Sequence, residues 1–207
     1  MKKNSRNPEK NRGRILAAAL EEFARHGLGG ARVDRIAARA GANKRMLYYY
    51  YGNKEDLFLA VLEARYAHIR RAEQGLRLEA LAPAEGIRRL VAFTWNYYLK
   101  HPEFLTLLNS ENLHRARHLR RSRQIAAMHS PLVAMLRELL ERGVRRGEFR
   151  RGVDPVQLYI SIAALGYFYL SNRHTLSTIF ERDLLAPRNK AERLKHMTEL
   201  VLGYLSK

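Results

Sequence analysis

Between residues 44 and 54 the sequence interleaves cations with phenols: Lys44, Arg45 and Met46, then Tyr48, Tyr49, Tyr50 and Tyr51, then Lys54. Ammonium and guanidinium groups pair with phosphate oxygens, and tyrosine hydroxyls hydrogen-bond to them. The chemistry on offer is the binding of a polyanion, not the making or breaking of bonds. Leu47 and Tyr51 are four apart and share one helix face. Lys44/Tyr48, Arg45/Tyr49 and Met46/Tyr50 are further i, i+4 pairs around the rest of the cylinder. A helix with one narrow apolar stripe is built to lie against something polar and anionic.

The neighbouring elements must position that surface. Ile36, Ala37 and Ala40 make one apolar face of a short helix, and Gly41 stops it in the left-handed conformation that suits a residue without Cβ. Asn43 caps the helix that follows. Helix, turn and helix at this spacing predict a helix-turn-helix, whose second helix enters the DNA major groove. An ordinary helical hairpin with a solvated basic face has the same spacing. Upstream, Ile15, Leu16, Ala19, Leu20, Phe23 and Ala24 predict an amphipathic helix ended by Gly27. Phe23 is large enough to centre a three-helix core with Ile36 and Leu47. Asn53 and Asp56 have the spacing of a capping box. Lys54, in the first turn of that helix, works against the helix dipole, which points to an outside anion. The apolar face from Leu57 to Ile69 carries this helix to about residue 75.

The run Gly41-Ala-Asn-Lys-Arg-Met-Leu-Tyr-Tyr-Tyr-Tyr-Gly-Asn-Lys-Glu-Asp-Leu57 resembles the DNA-binding signature of TetR-type (tetracycline-repressor-like) transcription regulators. Ile15 to Gly27 and Arg32 to Gly41 share the resemblance; beyond about residue 65 it rests on helix layout alone. The resemblance implies that Tyr48, Tyr49 and Tyr50 contact phosphates or base edges and that Lys44, Arg45 and Met46 face the groove. It also implies that Lys54 holds a phosphate. Two departures stand out. Ala31 and Arg32 replace the usual Thr or Ser cap, leaving Arg32 as a candidate phosphate contact. Tyr51 replaces the usual core phenylalanine, so its hydroxyl needs a partner.

Composition narrows the partners. A net charge of +18 and a sequence pI near 10.6 attract polyanions, nucleic acid first and an anionic membrane surface or acidic protein second. The chain has no cysteine, hence no disulfide, thiol catalysis or cysteine-ligated metal. It has no run of 18 apolar residues and no apolar stretch after its first lysines, so the expected location is the cytoplasm. No cofactor and no metal are expected. Residues 1–12 hold Lys2, Lys3, Arg6, Lys10 and Arg12 against Glu9, a basic arm that either trails in solvent or reaches along DNA.

The expected fold is all-α: a helix-turn-helix domain over residues 1–52, a linking helix over 54–75, and a larger helical domain over 76–207, about nine helices in all. A helix is predicted over 84–100, divided from the next by His101-Pro102. Trp95, Tyr98 and Leu108 are large and mostly apolar; Asn109, Glu111 and Asn112 place polar groups beside apolar ones. With Leu136, Tyr167 and Phe168 they are the candidate contacts for a small-molecule effector, since pockets of that kind are apolar with few polar groups. The same polar groups serve equally as exposed residues or local caps. His114 and His118 are four apart within the basic run Arg115, Arg117, Arg120, Arg121 and Arg123, which reads as a solvated polar face rather than a metal site. Ser130-Pro131 reads as a helix start, Asp154-Pro155-x-Gln157 as another, and Asn189-x-x-Glu192 as the opening of the last helix.

From Tyr159 to Leu170 the sequence is apolar on all sides, so a second copy is expected to cover what the chain's own core does not. Leu194, Met197, Val201 and Tyr204 repeat at the 3, 4 spacing of packed helices. With Tyr159 and Ile162 they are the candidate dimer contacts; the resemblance implies a four-helix interface made by two C-terminal helices from each subunit.

The resulting expectation is a homodimeric regulator that binds a palindromic DNA operator and is released by a small effector. Two recognition helices would enter successive major grooves roughly 34–36 Å apart. Repression is the common outcome in the family, and activation stays open. Two rivals belong to other classes. An enzyme would need a nucleophile elbow, metal motif or glycine-rich phosphate loop, and none is present. A basic helical protein that binds RNA, DNA or membrane by charge alone would fail to prefer one duplex sequence.

Overall fold

The computed structural model describes residues 8–206, excepting the side chains of Ala126, His129 and Ser130. The expected basic arm lies outside the described residues as far as residue 7. Among the described residues the fold is all-helical, with ten α-helices and two short 3-10 turns. They form two compact units. The first is Met1–Ala67 with Glu103–Ala126, and the second is His68–Pro102 with Ala127–Lys207. The units therefore do not follow the chain in simple order: a segment beyond residue 100 packs with the N-terminal helices.

In the first unit α1 (Pro8–Gly30), α2 (Val33–Ala40), α3 (Lys44–Tyr51) and the start of α4 (Lys54–Gln74) enclose a core of Ile15, Ala19, Phe23, Ile36, Leu47, Phe58 and Leu62. Phe23 is fully buried at its centre and meets Phe58 edge to face, 5.1 Å between ring centroids, a favoured aromatic geometry. Leu107 of α6 (Pro102–Leu113) closes the same core. α1 breaks at Gly27, whose φ of 62° and ψ of 178° no helix allows.

The caps lie where their residue types demand. Gly41 adopts the left-handed conformation (φ 59°, ψ 39°) and its N–H donates to the Ala38 carbonyl. Asn43 Oδ1 accepts from the Met46 N–H at 2.8 Å, and Asn53 Oδ1 from the Asp56 N–H at 2.8 Å, with Asn53 Nδ2 donating back to Asp56 Oδ2. α2 lacks a side-chain cap, as Arg32 predicts. Instead the Arg32 N–H donates to Oε1 of Glu22, a buried carboxylate on α1.

In the second unit α5 (Pro83–Lys100), α8 (Pro155–Ser171) and α10 (Pro187–Leu205) pack together, with α7 (Arg123–Arg145) supplying Leu136 and Leu139 to the core. Asp154 caps α8, accepting from Val156 N–H at 2.7 Å and Gln157 N–H at 3.2 Å. Three expectations are corrected. α7 starts at Arg123, and Pro131 lies inside it. Its cap is Ser122, whose hydroxyl accepts from Ile125 N–H at 3.3 Å; the helix continues past Pro131 at the loss of one backbone bond. α10 starts at Pro187, two residues before Asn189. A short helix, α9 (Arg173–Ile179), has no sequence signal strong enough to have been expected.

Candidate nucleic-acid interface

Leu47 anchors α3 in the core, Tyr50 and Tyr51 lean on that core, and the remaining side chains face outward. Leu47 is 0% exposed in the core, while Tyr48 is 46% and Tyr49 is 82% exposed. Tyr50 is half-buried and meets Tyr49 edge on, 5.2 Å between centroids, which fixes one phenol against the other. Arg32, Asn43, Lys44 and Arg45 are exposed and Met46 is partly covered. Lys44 forms an ion pair with Asp34 of α2. Tyr51 is tied down: its hydroxyl donates to the Arg12 carbonyl at 2.9 Å under the Arg12 guanidinium, 5.8 Å from the ring centroid. Burial pushes its phenol pKa up, so it stays a neutral donor. Lys54 reaches from the start of α4 to the Ala31 carbonyl at 3.3 Å, which holds the ammonium at the junction of α1 and α2.

The effector candidates fall in both units. Leu108, Asn109, Glu111 and Asn112 belong to the first unit; Trp95, Tyr98, Leu136, Tyr167 and Phe168 belong to the second. Glu111 is spent internally. It is 1% exposed; Oε1 accepts from the His118 and Leu119 N–H groups, and Oε2 lies 2.6 Å from His118 Nδ1. Asn112 donates to the Leu108 carbonyl on its own helix, and Asn109 is exposed. Trp95, Tyr98 and Leu136 are buried in the second unit, where Trp95 meets Tyr169 edge to face. Phe168 is 60% exposed on the outer face of α8 and lines no interior.

The dimer candidates divide as well. Ile162, Met197 and Val201 are buried within their own unit, Val201 at the floor of an open groove. Within the 3, 4 repeat Met197 and Val201 pack inward, while Tyr204 stays half exposed. The apolar row left uncovered is Val156, Ile160, Ala164 and Phe168 on α8, four residues apart, with Leu200 and Tyr204 on α10. Between them lies an open groove of about 440 Å³ bounded by Leu158, Ser161, Leu165 and Arg193. The Arg150 guanidinium sits 3.5 Å over the Tyr204 ring. Leu194 is partly buried. Tyr159 turns inward and accepts from Arg70 Nη2 at 2.7 Å.

Comparison with known proteins decides the family. Residues 15–61 match the model described as bacterial regulatory proteins, tetR family. Residues 83–201 match the model described as tetracyclin repressor-like, C-terminal domain. The chain belongs to the TetR family. The HTH-type transcriptional repressor NicS of Pseudomonas putida is 43% identical over 194 residues, which span 94% of this chain and 92% of NicS. The HTH-type transcriptional repressor SCO4008 of Streptomyces coelicolor is 38% identical over 141 residues, 68% of this chain and 70% of that one. The crystal structure of SCO4942 from Streptomyces coelicolor superposes with a TM-score of 0.72 at 26% identity, covering 94% of this chain and 98% of that chain.

This TetR-family chain is thus a DNA-binding transcription regulator, and the first model falls on α1 to α4, the helices that display the tyrosine-and-cation surface. Sequence reasoning missed two buried polar clusters. The Glu111–His118 pair needs a chain reversal that no glycine announces. In the second unit Arg70 and Glu73, both on α4, are 5% and 2% exposed and lie 2.9 Å apart, with burial pushing Glu73 up to about 7 against the opposing pull of Arg70. Their i, i+3 spacing was the available signal. Among the described residues no three His, Cys, Asp or Glu side chains are grouped to hold a metal, and no helix is long and apolar enough to cross a membrane.

Proposed function

We propose that this regulator is a repressor that binds a palindromic operator as a homodimer, through α3 in successive major grooves, and lets go when a small effector binds its second unit. The observation that carries the reading is the contrast on α3: Leu47 is buried, Tyr50 and Tyr51 pack against the same core, and Tyr48, Tyr49 and Arg45 are left in water. NicS and SCO4008 are named repressors, which favours repression over activation. Tyrosines and lysines on phosphates set position; Arg45 is the residue of this set whose fork fits a guanine edge. Effector and operator need only a coupling of about 1–3 kcal/mol. α4 carries Lys54 in one unit and Arg70 with Glu73 in the other, so it is the element through which that coupling runs.

The direct test is selection of duplexes from a random pool, followed by competition at fixed salt. A palindrome should outcompete random duplex by at least ~1000-fold; equal competition would leave only charge-driven binding. Replacing Lys54 by Ala should weaken all duplexes alike and lower the slope of log affinity against log salt by about one; an unchanged slope would remove Lys54 from the phosphate contacts. For the dimer, Phe168→Glu places a charge on the uncovered row of α8 without entering the core. Sedimentation should then show monomers, with operator affinity lost in parallel. A dimer that survives this change is built on another face.

A further inference from the structure

Between Glu111 and Glu138 the sequence has no Asp or Glu, yet it carries Arg115, Arg117, Arg120, Arg121 and Arg123 within nine residues. Like charges so close repel one another, and such a run free in solution would stay extended and mobile. In the first unit it is fixed. The Glu111 carboxylate gathers the His118 and Leu119 N–H groups, and the chain reverses through Arg115 and Ala116, both at φ 56°. Neither residue is glycine, so each holds a sparsely populated backbone conformation that the surroundings must enforce. The His118 ring packs edge to face on Phe58, 5.2 Å between centroids; Arg121 pairs with Asp56; the Ser122 hydroxyl donates to Glu63 at 2.6 Å. Residues 118, 121 and 122 thus meet 58, 56 and 63, which lays the segment, with its 3-10 turn Leu119–Arg121, along the first turns of α4.

Those turns begin at the end of α3. Asp56 binds Arg121 through Oδ1 and Asn53 through Oδ2, so the Arg121 guanidinium stands at the α3–α4 turn, on a carboxylate two residues along the helix from Lys54. Arg117, Arg120 and Arg123 are exposed beside it. Among the described residues Asp56 is the carboxylate that pairs with this run. Asp56 offsets one charge, and the excess positive charge is held exposed against the start of α4, the helix that follows α3. Arginine forks fit phosphate oxygens two at a time, and a duplex presents such oxygens at regular intervals.

We propose that the arginines of residues 117–123 form a second phosphate-contacting surface, which extends the grip of the helix-turn-helix onto duplex DNA beside the base pairs that α3 reads. The proposal rests on the DNA-binding reading above. Its partner is the DNA backbone, so it adds affinity and salt dependence without adding sequence preference.

The test uses the full chain and the best duplex recovered by selection, made with and without about one helical turn of flanking base pairs at each end. Arg120→Gln/Arg121→Gln/Arg123→Gln is compared with wild type, with the charge-retaining Arg→Lys triple, and with Arg88→Gln/Arg89→Gln/Arg188→Gln, an equal loss of charge from the second unit. The Gln triple should lower the salt slope by about two to three and weaken the flanked duplex by about tenfold or more, with the ratio of specific to random binding kept. The Lys triple should restore most of the slope, and the distant triple should leave it unchanged. Equal slopes for wild type and Gln triple overturn the proposal, as does an equal fall in the distant triple, which would mark a general charge effect. If wild type itself prefers no duplex over random DNA, the DNA-binding reading falls with it, an outcome distinct from a specific binder whose slope ignores these arginines.

Discussion

Glu111→Ala should destabilise the chain by about 3–5 kcal/mol, because it leaves a buried histidine and two backbone N–H groups without their shared acceptor. Few single changes away from the large aromatics reach that size. The cause is the direction of the loss. Removing both partners of a buried pair can be nearly neutral, whereas removing one strands the other. Glu111→Gln keeps an oxygen for the two N–H groups and loses only the oxygen that faces His118 Nδ1, so it should cost less, about 1–3 kcal/mol. Urea unfolding of the three proteins gives the order directly. A Glu111→Ala loss under about 1 kcal/mol, the range of a surface pair, would mean the carboxylate does not hold the 114–122 reversal.

The second large effect depends on pH. Burial pushes Glu73 from 4.5 up to about 7, with the Arg70 guanidinium pulling the other way. A carboxyl that binds its proton more tightly when folded stabilises the fold most below pH 4.5. That contribution is lost progressively as pH rises to about 7. The gap of about 2.5 pH units corresponds to about 3 kcal/mol. Wild type should therefore lose about 3 kcal/mol more than Glu73→Gln between pH 4.5 and 8, since the amide has no proton to release. Unfolding midpoints measured across that range would settle it, and parallel curves for the two proteins would rule out the shift. Histidine titrations fall in the same window, but they are common to both proteins and cancel in the difference.

What the sequence disclosed and what it hid follow one rule: local signals are legible, remote ones are not. The Asn43, Asn53 and Asp154 caps each bond a backbone two or three residues away, so residue type and spacing suffice to place them. Leu47 and Phe23 were legible as core because helical period exposes a face. Glu111 and His118 are seven apart across a reversal made by non-glycine residues, so nothing in the letters marks the turn. Ser130-Pro131 outcompeted the real cap, Ser122, because proline after serine is the stronger local pattern. On α8 every side is apolar, and hydropathy alone does not say which row the chain keeps for itself. Packing decides: Ile162 goes inward, and Ile160 and Phe168 are left out. The polar groups of α6 read as a pocket lining because their flanks are apolar, but those flanks part ways: Leu107 enters the core of the first unit and Leu113 is left exposed.

The Lys44–Asp34 pair on the displayed helix has a quieter consequence. Lys44 comes to any polyanion already neutralised by an internal rival. What it gains on contact is the difference between a phosphate and a carboxylate, not the whole attraction of a bare cation. Both side chains are more than half exposed, so the carboxylate trims that attraction by about 1 kcal/mol or less, and alike for every duplex sequence.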